Sequence, residues 1–451
     1  MRKSSKYKRK EQKPVEVIKV ETNKNKNYYF NQTKMKTRRY WSLITDREVI
    51  NIYPKIEYQE FKGFGAAITE AAAYSYSLLP EDKKQQFMKD MFENINYSLC
   101  RLTIGSCDFA IKSYSYAKKH DLSDFSIEKD NKYIIPFIKD AQKINPNIKF
   151  LASPWSPPRF MKNTKILYFG GKLLKKYKQT YADYFVKYIN EYKKLGINID
   201  YVTIQNEPNA LTMWESCMYN AKEEADFATN YLYPTFKENN INTKIIVYDH
   251  NKEKLFNRAV EEFSSEESRK AIDGIGFHWY SGNHFENIAL VRQVFPEKLI
   301  FHTEGCFSYD ANNDFHNQYV HDIIEDLNAG VNGYMDWNIL LNSKGGPNHK
   351  KSFCNSPVML NEDGSDYNKT LTYYYIGHIS KFIEPESVHI AHSKYISDLR
   401  MTAFKKKNGD IVIVMANSVH YNINVNICIG NQLLKDTIES DSIVTYIVKN
   451  N

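Results

Sequence analysis

The chain has 451 residues, 42% of them hydrophobic and 25% charged, a globular composition that excludes wholesale disorder and can bury a sizeable core. Its net charge is +8, yet residues 1–13, MRKSSKYKRKEQK, carry seven Lys or Arg against one Glu and so hold most of the excess. The remainder is close to neutral, which excludes a broad basic face for nucleic acid.

In chain order, residues 1–14 read as a solvated, disordered basic arm, with weak adhesion to an anionic lipid or polymer as the sharper alternative. This stretch lacks the apolar core of a signal peptide, and nowhere is there a run of about 18 apolar residues for a membrane span. The expectation is a soluble, cytoplasmic protein without an integral membrane segment. Residues 15–57 hold short alternating runs, VEVIKV and VINIYP, read as strands.

From residue 61 onward eight β-rich runs recur: 61–68, 99–105, 148–156, 199–208, 244–251, 272–280, 298–305 and 330–338. Helical patterns lie between them, at 80–93, 175–196, 223–239, 252–263 and 317–330. In the clearest, Tyr177, Tyr181, Tyr184, Tyr188, Tyr192 and Leu195 fall at three-to-four spacing and Gly196 stands where a C-cap belongs. Eight strands alternating with helices over 58–383 predict an α/β fold, a (β/α)8 TIM barrel. A doubly wound open sheet is the runner-up, weakened by the incomplete glycine loop in FKGFGAA. Residues 384–451 are again strand-like, and Asn408-Gly409-Asp410 reads as a hairpin turn. The two flanks, 15–57 and 384–451, are expected to meet as one side β-sandwich.

Active groups of such a barrel sit at the C-terminal ends of its strands. Glu207 ends the fourth run just before Pro208, and Glu304 ends the seventh just before Gly305. Paired carboxylates across a cleft are what glycoside hydrolysis requires, one protonated and one ionised, with mutual repulsion and burial separating their pKa values. Of Trp41, Trp155, Trp214, Trp279 and Trp337, four fall at or just after a strand end, which suits the flat C–H faces of sugars, while the blander reading is packing at loop bases. Asp249 and Asp336 also end strands and read as orienting groups. His302 precedes Glu304 by two residues, so on a strand it shares that face. The six cysteines, including Cys107 and Cys306, lack metal-ligand spacing and read as reduced, packed thiols. No metal is expected of His278, His302 and Glu304.

The motifs GFGAAITEAAA, LTIGSCDF, SPWSPPRFMK, TIQNEP, GFHWY, HTEGC and MDWN occur in that order. Together they resemble glycoside hydrolase family 30, in its glucosylceramidase-like branch, over about residues 49–450. The resemblance implies a barrel with a side β-sandwich built from both termini, and a retaining β-glycosidase that needs no cofactor. It implies Glu207 as general acid/base, Glu304 as nucleophile and Asn206 as partner of the 2-hydroxyl. Asp108 and Trp155 would hold sugar hydroxyls, Trp337 and Asn338 the pocket floor, His278 and Tyr280 the cleft wall, and Arg101 would orient the nucleophile. The implied partner is a β-glucoside, glucolipid or β-glucan. β-1,6-Glucanase, β-xylosidase or β-fucosidase action within the family is the alternative, and a non-catalytic carbohydrate-binding protein is the rival from another class. Ala66 stands where the branch has glycine, and Glu70 where it has Asp.

Overall fold

The computed structural model describes residues 13–39, 48–309 and 315–450. Residues 1–12 of the expected basic arm, and Trp41, lie outside the described residues. The chain divides into two compact units, Gln59–Pro385 and a second made of Met1–Tyr58 with Glu386–Asn451.

The larger unit is a closed ring of parallel strands: β1 (Gly63–Ala67), β2 (Leu99–Ile104), β3 (Lys149–Pro154), β4 (Tyr201–Thr203), β5 (Lys244–Asn251), β6 (Gly274–His278), β7 (Leu299–Glu304) and β8 (Gly333–Asn338). Neighbours in sequence are neighbours in the ring, and β8 closes onto β1. The strands read as near-continuous apolar runs because both faces are covered, by the barrel filling within and by helices without. Leu99, Leu151, Tyr201, Ile246, Phe301 and Met335, from six strands, form one buried cluster, so the barrel is a packed core and not a pore.

The helix Lys178–Lys194 buries Tyr181, Tyr184, Tyr188 and Tyr192 along one stripe, and Gly196, at φ +70°, turns the chain out of it. The hydroxyls of Tyr192, Tyr116 and Tyr114 all donate to Asp130, which disposes of three buried polar groups at once. The helix expected over 223–239 is interrupted. It runs as Ala221–Phe227, a π turn Ala228–Leu232, and Tyr233–Glu238. Pro234 has no N–H for the carbonyl one turn back, so the ladder widens just before it. Glu70–Leu78, Ile134–Ile144, Glu266–Ala271, Phe285–Val294 and Leu371–Ser380 are further helices. The first of these is buried nearly all round, so it has no amphipathic stripe to announce it. Among the described residues no helix is long and apolar enough to cross a membrane.

The second unit is a ten-stranded sheet. Its first strand, Glu16–Asn23, pairs antiparallel with its last, Ser442–Val448, so both ends of the chain build it. Gly409, at φ +87°, turns the hairpin between Leu399–Lys405 and Ile411–Asn417. Val17, Ile52, Met401, Ile413, Val425, Val444 and Tyr446 share one core within the unit.

At Gly65 an added Cβ would stand 1.9 Å from the Leu99 carbonyl oxygen of the adjoining strand. Gly65→Ala should therefore overpack the β1–β2 seam and lower stability by about 1–3 kcal/mol in urea denaturation. An unchanged midpoint would mean that this seam yields freely.

Candidate active site

Arg101 enters the barrel interior from β2 with no solvent exposure. A buried guanidinium is costly unless its donors are met by charge. Here Nη1 lies 2.5 Å from Glu304 Oε2, and Nη2 lies 2.8 Å from both Asp249 Oδ2 and Asn206 Oδ1, while Nε donates to Ser153 Oγ. The cation also sits against the rings of Trp155 and Trp337, 4.8 and 5.6 Å from their centroids.

The side chains that meet Arg101 owe their direction to bulges at the rim. On β5, Gly276 pairs with Tyr248 and Phe277 with His250, which leaves Asp249 as the extra residue. Tyr248 and Asp249 both take left-handed φ, +71° and +49°, and the bulge swings the Asp249 carboxylate inward. There Asp249 accepts from Arg101, from Thr203 Oγ1 at 2.7 Å and from Thr303 Oγ1 at 2.6 Å, with His278 Nε2 at 3.0 Å. Burial alone would raise its pKa; the Arg101 guanidinium and His278 outweigh that and hold it well below the usual carboxylate range.

On β7 the pairs are Phe277 with His302 and His278 with Glu304, so Thr303 is extra. Simple alternation would have put His302 and Glu304 on one face. The bulge instead sends His302 outward, where Nδ1 lies 2.8 Å from Asp326 on the helix Phe315–Ala329 and the ring stacks 3.8 Å from Tyr334. On β8, Asp336 pairs with Ala66 and Asn338 with Ala67, leaving Trp337 extra. Trp337 stacks on Trp155 at 5.4 Å, whereas Asp336 receives the Tyr319 hydroxyl and stands apart from the Arg101 cluster.

Glu207 is not on a strand. β4 stops at Thr203, four residues earlier. The Asn206 N–H donates to the Pro154 carbonyl and the Glu207 N–H to the Asp249 carbonyl, and Glu207 takes φ +49°. These bonds turn the chain so that Glu207 Oε1 lies 3.4 Å from His278 Nδ1. The same nitrogen is 3.9 Å from Glu304 Oε1, which also accepts from the Tyr280 hydroxyl at 3.0 Å. The two carboxylates thus flank one imidazole edge.

Repulsion was expected to keep a proton on one carboxyl. His278 changes that arrangement. Burial would depress its pKa, but Glu304, Asp249 and Glu207 push it up to about 9. Burial raises Glu207, and His278, whose Nδ1 lies 3.4 Å away, more than offsets it, so Glu207 sits below its ordinary value. Glu304 is raised by burial against the pull of His278 and Arg101. With His278 raised and Glu207 lowered, the shared proton favours the imidazole.

The remaining expected residues line the same end. Asp108 is buried, accepts from Asn348 Nδ2 at 3.3 Å, and is pushed by burial up to about 8. Near neutrality it can donate as well as accept. Asn338 takes the Thr69 hydroxyl on Oδ1 and leaves its buried Nδ2 without a protein partner. Tyr280 is 43% exposed at the mouth. Trp214 packs into the Trp155–Trp337 cluster, whereas Trp279 is wedged between Phe307 and Tyr319 and packs a loop base. Thr203, Thr303 and Ser153 were not singled out from the sequence. Neither were Asn348, His349 and Glu215, which brace the Asp108 loop through His349 N–H to the Asp108 carbonyl and a 3.4 Å His349–Glu215 pair. Nothing local marks them, because each acts across the rim on a distant segment.

Paired carboxylates and stacked indoles around a buried arginine, on the C-terminal rim of a (β/α)8 barrel, define an O-glycosyl hydrolase. Comparison with known proteins makes the assignment specific. Residues 61–383 match the glycosyl hydrolase family 30 TIM-barrel domain and residues 386–446 that family's β-sandwich domain, and the chain belongs to this family. It is 30% identical over 396 residues to lysosomal acid glucosylceramidase of Mus musculus, covering 82% of this chain and 77% of that protein. Among solved structures, SrfJ from Salmonella typhimurium is similar at a TM-score of 0.94 and 30% identity, over 97% of this chain and 100% of SrfJ. The endo-β1,6-glucanase BT3312 is similar at a TM-score of 0.87 and 26% identity, over 96% of this chain and 100% of that one.

Two outcomes follow for stability. Asp249→Asn keeps the shape but leaves Arg101 short of one buried counter-charge, and should cost about 3–5 kcal/mol in urea denaturation. A loss below about 1 kcal/mol would mean that the Arg101–Asp249 pair is not needed. For His278, the folded-state pKa near 9 lies above the 6.5 of a free imidazole. Its contribution is therefore complete below pH 6.5 and disappears as pH rises through about 9. The stability gap between wild type and His278→Gln should shrink by about 3 kcal/mol across that window; a gap that widens with pH would contradict the assigned proton.

Proposed function

We propose that the enzyme hydrolyses β-glucosidic bonds with retention of configuration, Glu304 serving as nucleophile and Glu207 as general acid/base. The observation that carries this is the shared imidazole edge. Glu207 Oε1 and Glu304 Oε1 lie 3.4 and 3.9 Å from His278 Nδ1, so their separation cannot exceed the sum of those lengths. That bound falls below most of the roughly 6.5–9.5 Å span of inverting pairs and includes the roughly 5–5.5 Å of retaining ones.

In the first step a Glu304 oxygen attacks the anomeric carbon, the glycosidic C–O bond breaks, and the departing oxygen takes a proton from Glu207. The negative charge of Glu304 is a principal reason that His278 holds its proton. As that charge is consumed in the new C–O bond, the imidazolium becomes a stronger acid, and its proton passes to Glu207 along the 3.4 Å contact. In the second step water gives a proton to Glu207 and attacks the same carbon, the bond to Glu304 breaks, and the restored Glu304 charge draws that proton back onto His278 along the same contact. Two inversions restore the β configuration.

The other side chains hold the sugar. Arg101 fixes Asn206 Oδ1, so the amide presents Nδ2 to a hydroxyl beside the reacting carbon. Trp155 and Trp337 offer apolar faces, and Asp108 takes a hydroxyl further out. The likeness to a glucosylceramidase supports β-glucose at the cleaved position and a glucolipid or simple β-glucoside as substrate; the likeness to an endo-β1,6-glucanase supports a β-1,6-glucan as the second reading.

Release of p-nitrophenol from its β-glucoside should be abolished by Glu304→Gln, and undiminished release would remove Glu304 from the mechanism. Across aryl β-glucoside, β-xyloside, β-fucoside, glucosylceramide and a β-1,6-glucan, the wild type should prefer a glucoside. Preference for the polymer would favour the second reading, and turnover of none of them would leave only carbohydrate binding.

A further inference from the structure

Behind the cleft, on the side away from the sugar, lies a second buried charge cluster with no part in the steps above. Glu224 stands on the helix Ala221–Phe227 that follows the Glu207 loop. Arg258 and Glu262 stand on the helix Leu255–Glu262 that follows β5. The Arg258 fork spreads four ways. Nε donates to Glu262 Oε1 at 2.6 Å, Nη2 to Glu224 Oε2, and Nη1 to Asn209 Oδ1 and the Tyr219 carbonyl, both at 3.2 Å. All but Asn209 are buried.

Two of these contacts grip the segment that carries Glu207. Asn209 is two residues beyond it, and the N–H of Tyr219 donates to the Pro208 carbonyl, so both ends of the loop are tied to one guanidinium. The other arm grips the bulge. Glu224 Oε1 accepts the Tyr248 N–H at 2.9 Å, a donor whose ladder partner the bulge disrupts. The guanidinium also lies 5.2 Å from the Tyr248 ring centroid. Tyr248 leads directly into Asp249, whose carbonyl receives the Glu207 N–H. Left-handed φ at Tyr248, Asp249 and Glu207 is disfavoured for side-chain-bearing residues and persists only where the surroundings over-determine it. The cluster supplies that determination from both sides of the acid/base.

We infer that Arg258, through Asn209 on one arm and Glu224 on the other, is a positioning residue that sets the direction of the Glu207 carboxyl toward the leaving oxygen. It touches neither substrate nor the reacting atoms. Burial and Glu224 push Glu262 well above the ordinary carboxyl range. The arginine fork is what joins four acceptors on separate segments; a lysine would keep the charge and lose the geometry.

The inference rests on Glu207 being the general acid, so the experiment separates the two. An acid matters when the leaving group is poor and is dispensable when it is good. kcat/KM is measured with phenyl β-glucoside and dinitrophenyl β-glucoside, which share a sugar and differ in leaving-group acidity. Glu207→Ala should lose on the order of 10²–10⁴-fold on the phenyl substrate and far less on the dinitrophenyl one. Equal losses there would overturn the acid assignment and this inference with it. With the acid assignment standing, Arg258→Lys should lose about 10-fold or more on the phenyl substrate and within about 2-fold on the dinitrophenyl one. Asn209→Ala, an exposed change that leaves the buried charges intact, should show the same asymmetry at about 3-fold, and it carries the test if Arg258→Lys does not fold. A structural role alone would scale both substrates equally. Equal loss, or none, in Asn209→Ala and Arg258→Lys would overturn the inference.

Discussion

One guanidinium sealed inside a barrel is the constraint on which the site depends. Arg101 cannot be left unpaired without a large desolvation penalty, and its partners come from the ends of different strands: Ser153 from β3, Asp249 from β5 and Glu304 from β7, with Asn206 from the turn after β4. Satisfying one cation therefore fixes the relative positions of four segments. The bulges at Asp249 and Thr303 are the backbone's response to that demand. Each inserts a residue where strict alternation would have turned the required side chain away from the centre.

The same packing sets where charge rests. Asp249, with Arg101, His278 and two threonine hydroxyls around it, is held ionised. His278 lies between three carboxylates and retains a proton. Glu304 is left with Arg101 on one oxygen and Tyr280 on the other, so its ionised form is oriented as well as tolerated. The chemistry then needs little motion of the protein. In the proposed reaction a charge disappears at Glu304 and a proton moves along the existing His278–Glu207 contact, which is the behaviour expected of preorganised electrostatics.

The barrel was legible because strands covered on both faces are continuous apolar runs, and the carboxylates because each interrupts such a run just before Pro208 or Gly305. Buried stripes such as Tyr181, Tyr184, Tyr188 and Tyr192 announced their helix for the same reason. What escaped was everything decided by register. A bulge is a relation between two strands, so nothing in HTE says that Thr303 and Glu304 both serve the cleft while His302 faces the helices. Glu207 was read as a strand residue, whereas backbone bonds to Pro154 and Asp249 place it on a turn. Helices buried over most of their surface, such as Glu70–Leu78, carry no periodic signal, and the break near Pro234 shows only once its missing donor is weighed against the ladder around it.

Glu207 and Glu304 share one imidazole edge, and the reaction proposed for them runs through a covalent glycosyl-enzyme on Glu304. Proton NMR of the sugar as it is released, followed before mutarotation, tests this most directly. Double displacement releases the β-anomer first; an α-anomer appearing first would rule it out.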